Sequence, residues 1–299
     1  MKKLATYVAR AISQKVPLST LMIDREIKRQ QVSEEAIIRG MARTYSVMRE
    51  AALTRIYEPY VADITGDIVS QYGNYLDSCK TAEKTTLTGS FTSEIMLRAL
   101  TAAKNNSMMK VIVAAPTAGS SGILPGVLTA MEDHKAIPRE KIIRSLFTAG
   151  LVSMVIADSV TLAGAAGGCM AECGSAAAMA AASVVELMAE SANSRDIPGL
   201  PEQCGNAAAL ALKQHLGLAC DPIAGVVECP CVKRNAMSAI VALSAAEMSV
   251  AGVYSVVPFD EVLAAMKDIA GKMDASLRET SLGGLAMTPT GKWWQGRLR

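Results

Sequence analysis

The sequence predicts a mainly α protein, a single largely helical domain whose buried helices are rich in alanine. Three observations predict it. Hydrophobic residues make up 51% of the 299 residues while aromatics are only 4%, so alanine, glycine and methionine supply much of the apolar content, as in closely packed helices. Apolar residues recur at helical spacing near the N-terminus, and from Pro138 onwards helix follows helix. No internal repeat or low-complexity linker divides the chain, so residues 1–299 read as one domain, with 1–86 as its N-terminal helical part.

Leu4, Val8 and Ile12 fall at i, i+4 and i+8, and Pro17 ends that first helix. A second helix runs from Ser19 towards Gln30. Ser33 is a good N-cap ahead of Glu34 and Glu35, and Ile37, Ile38, Met41 and Tyr45 share one side of the third helix. The paired charges of this region read as a solvated face. Residues 58–92 are mixed and polar, punctuated by Pro59, Gly66, Gly73 and Gly89, with Cys79 in a structural role. Thr92, Ser93 and Glu94 open a helix through Leu100 towards Asn106. A short β-like run, Val111 to Val113, leads into the loop A-P-T-A-G-S-S-G-I-L-P-G, Ala115 to Gly126.

Pro138 opens a helix that runs to about Ala157, and residues 158–162 lead to a Gly-rich turn holding Cys169. Ser175–Ser191 is a small-residue helix, apolar on nearly every face, and such a helix must be buried. The run D-I-P-G-L-P from Asp196 is a linker, and Pro201 suits the first turn of a helix ending near Leu216. Residues 235–256 form another buried helix and Pro258–Lys272 an amphipathic one. The end, from Arg278, is turn-rich, with a basic tail carrying Trp293 and Trp294.

A net charge of +2 points to no nucleic-acid partner, and the aromatics are too few for a base-stacking surface. Mean hydropathy is high at +0.26, but the long apolar runs are not built for lipid. The run 111–131 contains Pro116, Gly119, Gly122, Pro125 and Gly126, and Asp158 splits the run 145–171, so no membrane span is expected. The first residues, broken by Arg10, are unlike a signal peptide. Seven cysteines in no framework-like pattern fit a reducing cytoplasm.

Chemistry concentrates between Cys169 and Cys231. Five cysteines lie in three short segments: G-G-C-M-A-E-C-G from Gly167, G-L-A-C-D-P from Gly217, and E-C-P-C-V-K-R-N from Glu228. Thiolates gathered from separate loops suit Zn²⁺ or an iron–sulfur cluster, although no run matches a zinc-finger or ferredoxin spacing. The plainer reading is that they are small buried apolar residues. The Ala115–Gly126 loop offers backbone N–H groups and hydroxyls to a carboxylate or phosphate, yet it is neither a Walker A loop nor a dinucleotide turn. An ordinary tight loop would look the same.

Taken together, these segments resemble the α chain of bacterial iron–sulfur-dependent L-serine dehydratase (L-serine ammonia-lyase). The resemblance rests on V-A-A-P-T-A-G-S-S-G-I-L-P-G from Val113, G-G-C-M-A-E-C-G-S from Gly167, G-L-A-C-D-P-I-A-G from Gly217, P-C-V-K-R-N-A from Pro230, and L-R-E-T-S-L-G-G from Leu277 with T-P-T-G from Thr288. It implies a [4Fe–4S] cluster held in cluster-binding loops by Cys169, Cys220 and Cys231, one iron left open as a Lewis acid for the β-hydroxyl of L-serine. It implies that Thr117, Ser120 and Ser121 bind the substrate, that Lys233, Arg234 and Asn235 sit beside the cluster, and that Glu172 contacts the substrate amine or a neighbouring group. Otherwise Lys233 and Arg234 make a surface ion pair, Asn235 caps a helix and Glu172 is a solvated loop carboxylate. Cys173, Cys204 and Cys229 fall off the ligand positions, with Cys229 close enough to compete. Nothing argues for pyridoxal phosphate.

The resemblance is imperfect where Ala166 and Met170 stand, since relatives usually carry an acidic residue and Gln there. That motivates an alternative substrate, L-threonine, L-cysteine or another β-substituted amino acid. A further alternative is a non-catalytic iron–sulfur protein completed by Cys229 or Cys173. Of the two histidines, His134 reads as exposed and His215 as a helix-end packing residue, so no base is evident. The family completes its enzyme with a β chain or β domain. A separate β subunit is therefore the expected partner, in an oligomer, with no nucleic acid and no membrane.

Overall fold

A computed structural model describes residues 3–59, 62–191 and 200–298. It is helical throughout, and among the described residues there is no β-strand, only an isolated parallel bridge between Cys220 and Arg278. The helices are α1 Leu4–Gln14, α2 Leu18–Gln30, α3 Glu34–Leu53, α4 Ile68–Thr81, α5 Ser90–Ser107, α6 Ile123–His134 and α7 Arg139–Ser159. They continue as α8 Gly164–Cys169, α9 Ser175–Ser191, α10 Leu200–Lys213, α11 Cys231–Val250, α12 Phe259–Lys272 and α13 Pro289–Leu298.

The body is built around α9, which packs against α6, α7, α10 and α11. Every residue from Ala176 to Leu187 is buried, so that stretch of the helix has no solvent face. Its run of alanines is what permits this, because small side chains let four neighbours approach at once. Two polar groups on it find hydrogen-bond partners inside the core. Ser183 donates to the Ser145 carbonyl at 2.9 Å, and the Glu186 carboxylate accepts from Thr148 Oγ1 at 2.5 Å and from the Ser19 N–H at 3.4 Å. Two stretches are long and apolar enough to cross a membrane, Arg139–Ser159 and Gly164–Met188, and they are 61% and 94% buried within the fold.

The N-terminal helices join the same core rather than standing apart: Leu4, Tyr7, Ala11, Tyr45 and Met48 belong to one buried cluster with residues of α9 and α10. The buried face of α1 is Leu4, Tyr7 and Ala11, while Ile12 is exposed, so the spacing read from the sequence is rotated by about one position. Asp260 caps α1 across the fold, its Oδ1 accepting from Leu4 N at 2.8 Å and its Oδ2 from Ala5 N at 3.1 Å. Ser33 caps α3 as expected, through Ala36 N. The charges of α2 are not all solvated: Glu26 is buried and gathers Arg25, Arg29 and Gln30.

Three expectations are corrected. Residues 68–81 of the polar stretch form α4, capped by Asp67. Val111–Val113 is not a strand, because nothing pairs with it. The turn-rich end contains α13. The linker expected from Asp196 lies outside the described residues as far as Gly199.

Candidate active site

The site forms where three turns meet the N-terminal end of α11. The first is the Ala115–Gly122 loop between α5 and α6. It begins with a cis Ala115–Pro116 bond and closes in a 3₁₀ turn over Ala118–Ser120. Gly122 is obligatory there, since a Cβ would lie 2.4 Å from the Ala99 carbonyl of α5. Ser120 and Ser121 are buried and Thr117 is half-buried. Thr117 Oγ1 and Ser120 Oγ are 3.1 Å apart, whereas the buried Ser121 Oγ has no hydrogen-bond partner.

The second turn carries Glu172. Between α8 and α9 the chain makes one π-helical turn, Met170–Gly174, and such widened turns displace side chains from the regular helical row. The Glu172 carboxylate lies between two glycines. A Cβ on Gly119 would be 2.9 Å from Oε1, and one on Gly164 would be 2.8 Å from Oε2 and 3.5 Å from Cys220 Sγ. Burial pushes the Glu172 carboxyl up, a hydrogen bond from Thr117 pulls against this, and the negative charge of Glu279 adds to the rise. Such a group holds and exchanges a proton closer to neutrality than an exposed glutamate does. It is thus not a solvated loop carboxylate.

The cysteines stand on the same side. Cys169 ends α8, and its sulfur is 3.5 Å from that of Cys173. The contact with Cys173 lowers the Cys169 thiol, burial opposes, and the Arg234 guanidinium lowers it further. Cys220 is fixed by backbone bonds on both sides, its N–H to Leu277 O at 2.9 Å and its carbonyl from Glu279 N at 2.7 Å. Its thiol contacts Cys231 and is pushed well up by that contact, by burial and by the charges of Cys231 and Cys169. Cys231 opens α11. Thus Cys169, Cys220 and Cys231 lie within electrostatic reach of one another, although among the described residues no three His, Cys, Asp or Glu side chains form a ready site for a single metal ion. Cys229 is half-buried, joined by a cis bond to Pro230, and its thiol is raised by burial against the pull of Lys233. Cys204 and Cys79 are buried in α10 and α4.

α11 ties these pieces together. Asn235 is a buried clamp, not a cap: Nδ2 donates to Gly119 O at 2.8 Å and to Cys231 O at 3.0 Å, and Oδ1 accepts from Gly122 N at 2.8 Å. Arg234 is partly buried and its ion pair is with Asp221, so it is not at the surface. Lys233 is exposed beside Cys229. The structure therefore gathers Thr117, Ser120, Ser121, Glu172 and Asn235 around the cysteine segments and leaves Lys233 on the outer side.

Neither histidine enters the site. His134 is exposed at the end of α6, and His215 is buried between Ala211 O and Ser238 Oγ, each 2.9 Å away, with burial pushing its pKa down. Ala166 is exposed, and Met170 is buried with its sulfur 3.3 Å from Gly217 N. Sequence reasoning missed Asp221, Glu228 and Glu279. Asp221 Oδ2 accepts from Leu285 N at 2.9 Å, and the buried Glu228 accepts from Ala62 N at 2.9 Å and Ile64 N at 2.8 Å. Only the charge set in a Cys/Pro/Gly-rich segment could have flagged them.

Comparison with known proteins points one way. The family model of the serine dehydratase alpha chain matches residues 13–286. The probable L-serine dehydratase alpha chain of Bacillus subtilis is 43% identical over 277 residues, covering 92% of this chain and 87% of that one. The L-serine dehydratase alpha chain of Peptoniphilus asaccharolyticus is 39% identical over 280 residues, 93% of this chain and 91% of that one. L-serine dehydratase TdcG of Escherichia coli is 36% identical over 195 residues, which is 64% of this chain but 41% of the longer protein.

Proposed function

The chain belongs to the serine dehydratase alpha-chain family, and on that premise we propose that it carries the active site of a two-chain lyase converting L-serine to pyruvate and ammonia. The observation that carries this reading is the junction of loop 115–122, Glu172 and the cysteine segments, where the Glu172 carboxylate lies against Gly119 and Gly164 and the Asn235 clamp holds the loop. The relatives named as alpha chains favour a separate β subunit as partner.

The residues fit a sulfur-held cluster. Three thiols come from three segments, one stands beside a guanidinium, and the space at Gly164 is one that a methyl group would close. Cys169, Cys220 and Cys231 would hold it. When bound, a [4Fe–4S] cluster with an open iron supplies a Lewis acid that weakens the bond to the serine β-hydroxyl.

The chain's own side chains do the rest. Ser121 Oγ, buried and unpartnered, offers a hydrogen bond to the serine carboxylate, while the Thr117 hydroxyl serves Glu172. Glu172, raised by burial, accepts the ammonium group or takes up the proton leaving Cα. Loss of water gives aminoacrylate, which tautomerises and hydrolyses to pyruvate and ammonia in solution.

The test is anaerobic reconstitution of the full chain with iron and sulfide, alone and with its β chain, followed by L-serine. About four irons per chain, a Mössbauer shift of one iron on adding serine, and equal yields of pyruvate and ammonia are expected. No iron uptake, or no ammonia with the β chain present, would sink the reading. A substrate panel with L-threonine and L-cysteine separates the serine enzyme from its relatives in chemistry.

A further inference from the structure

One side chain bridges two of the cysteine segments and brings its charge to the third. Arg234 lies three residues after Cys231, in the first turn of α11. Its Nη1 donates to the carbonyl of Ala219, immediately before Cys220, at 2.7 Å, and its Nη2 donates to Asp221 Oδ1, immediately after Cys220, at 2.9 Å. The charge of the same guanidinium acts on the Cys169 thiol and lowers its pKa. Arg234 and Asp221 expose only 18% and 8% of their side chains, so these bonds are made largely out of water, where fork geometry counts.

The chain of contacts extends one step further. Asp221 Oδ2 accepts from Leu285 N at 2.9 Å. Gly284, at φ +56°, approaches so closely that a Cβ would lie 2.4 Å from Asp221 Oδ2. Cys169, Arg234, Asp221 and Leu285 therefore form a relay from α8 to the turn before α13.

We propose that Arg234 is the positioning residue of the three-cysteine set, and that Asp221 couples it to the Gly284–Leu285 turn. The inference rests on the cluster-binding reading above. Arginine is the residue type this requires. A planar guanidinium holds a carbonyl and a carboxylate at fixed directions while its charge faces the sulfur, and the ammonium of lysine keeps the charge and loses the fork.

The experiment uses the full-length chain as wild type, Arg234→Lys and Asp221→Asn. Each apoprotein is titrated anaerobically with Co²⁺, following thiolate-to-cobalt absorption. Each is then reconstituted with iron and sulfide, and iron release to a chelator and the reduction potential are measured. Helix content should stay at the wild-type level, while Arg234→Lys weakens Co²⁺ binding about 10- to 100-fold, as expected for loss of a group orienting a ligand. Iron release should quicken in proportion, and the reduction potential should shift, which a loss of fold stability alone would not produce. Asp221→Asn should move the same readouts in the same direction by less, and it serves if Arg234→Lys fails to fold.

Wild-type Co²⁺ affinity, iron release and potential in the variants would overturn the proposal. Wild-type protein that binds Co²⁺ through thiolates but takes up no iron and sulfide overturns the cluster reading alone, and the cobalt comparison still decides for or against Arg234. Absence in the wild type of both thiolate–cobalt absorption and iron–sulfide uptake overturns the ligand set, and the positioning role with it; with iron–sulfide uptake alone, iron release and potential decide for or against Arg234.

Discussion

The side-chain amide of Asn235 replaces a missing backbone partner for Gly122: its Oδ1 accepts from Gly122 N at 2.8 Å, 113 residues away in sequence. Its Nδ2 holds Gly119 O at 2.8 Å, so one residue fixes both ends of the turn that carries Ser120 and Ser121. A neutral amide suits the task because it donates and accepts at once. Asn235→Asp keeps the acceptor, loses both donors and leaves the carbonyls of Gly119 and Cys231 without them. Stability should fall by about 1–3 kcal/mol, and kcat/KM for serine should fall at least about tenfold as the loop loses its placement. Thermal unfolding and steady-state kinetics on the same preparation check both, and wild-type turnover would show that the loop keeps its place without the clamp.

Gly164 tests the placement of Glu172 without altering any polar group. A methyl group there would stand 2.8 Å from Glu172 Oε2, so Gly164→Ala must displace the carboxylate. Turnover should drop by roughly 10- to 100-fold with little change in helix content. Gly40, inside α3, is the contrasting site, because nothing lies within 4 Å of a Cβ built on it. Gly40→Ala should stabilise the protein by roughly 0.5–1 kcal/mol and leave turnover unchanged. A loss of activity from Gly164→Ala no larger than from Gly40→Ala would mean that Glu172 does not need its observed position.

Asp67 ties acid stability to the fold. It caps α4 through Ser70 N at 3.2 Å and pairs with the buried Lys104, whose Nζ is 2.9 Å from Oδ1 and also reaches Ile56 O at 2.7 Å. Burial pushes the Asp67 carboxyl up, but the bonds from Ser70 and Lys104 outweigh it and hold the pKa below the ordinary value. A depressed carboxylate contributes stability above its unfolded pKa, near 3.9, and loses it as pH falls through the lower folded value. Asn caps helices about as well as Asp, so Asp67→Asn isolates the ion pair. It should cost about 1 kcal/mol at neutral pH, a figure reduced for the part of the pair that solvent screens. The gap to the wild type should close below about pH 4. Denaturant unfolding across that range measures it, and a gap independent of pH would mean that the charge is not what stabilises.

The helices were legible where local signals and burial agree. Ser175–Ser191 emerges at the expected bounds because an uninterrupted small-residue run has nowhere to go but the core. α4 was hidden because Gly73 weakens it locally. That glycine answers to a contact the sequence does not display, the Arg55 guanidinium 2.9 Å from where its Cβ would be. α13 was hidden in the same way by Gly291, whose Cβ would fall 2.4 Å from Leu285 O. For the site, the motifs singled out residues that the fold brings together, but not the contacts they make. Asn235 as a clamp, Arg234 as a fork and Glu228 as an acceptor are relations between segments far apart in the chain, and only the fold brings those segments into contact.

Glu228 supplies the last prediction. Its carboxylate, buried next to Cys229, accepts from the N–H groups of Ala62 and Ile64 and so fastens that segment onto the cysteine loop. The loop does not need the carboxylate for its own shape. Ile223 N donates to Cys229 O at 3.0 Å and Val232 N to Val227 O at 3.3 Å, both independent of Glu228. Replacing Glu228 by alanine should therefore free the 62–64 segment while leaving the loop folded. The amides of Ala62 and Ile64 should exchange with solvent at least about tenfold faster, the equivalent of about 1.4 kcal/mol of lost local protection. Amides of α9 should exchange at the wild-type rate. Glu228→Gln presents one acceptor where two N–H groups converge, so it should fall between wild type and Glu228→Ala. If Ala62 and Ile64 exchange equally in all three proteins, the carboxylate does not hold them in solution, and the segment must be anchored by Asp67 and Lys104 alone.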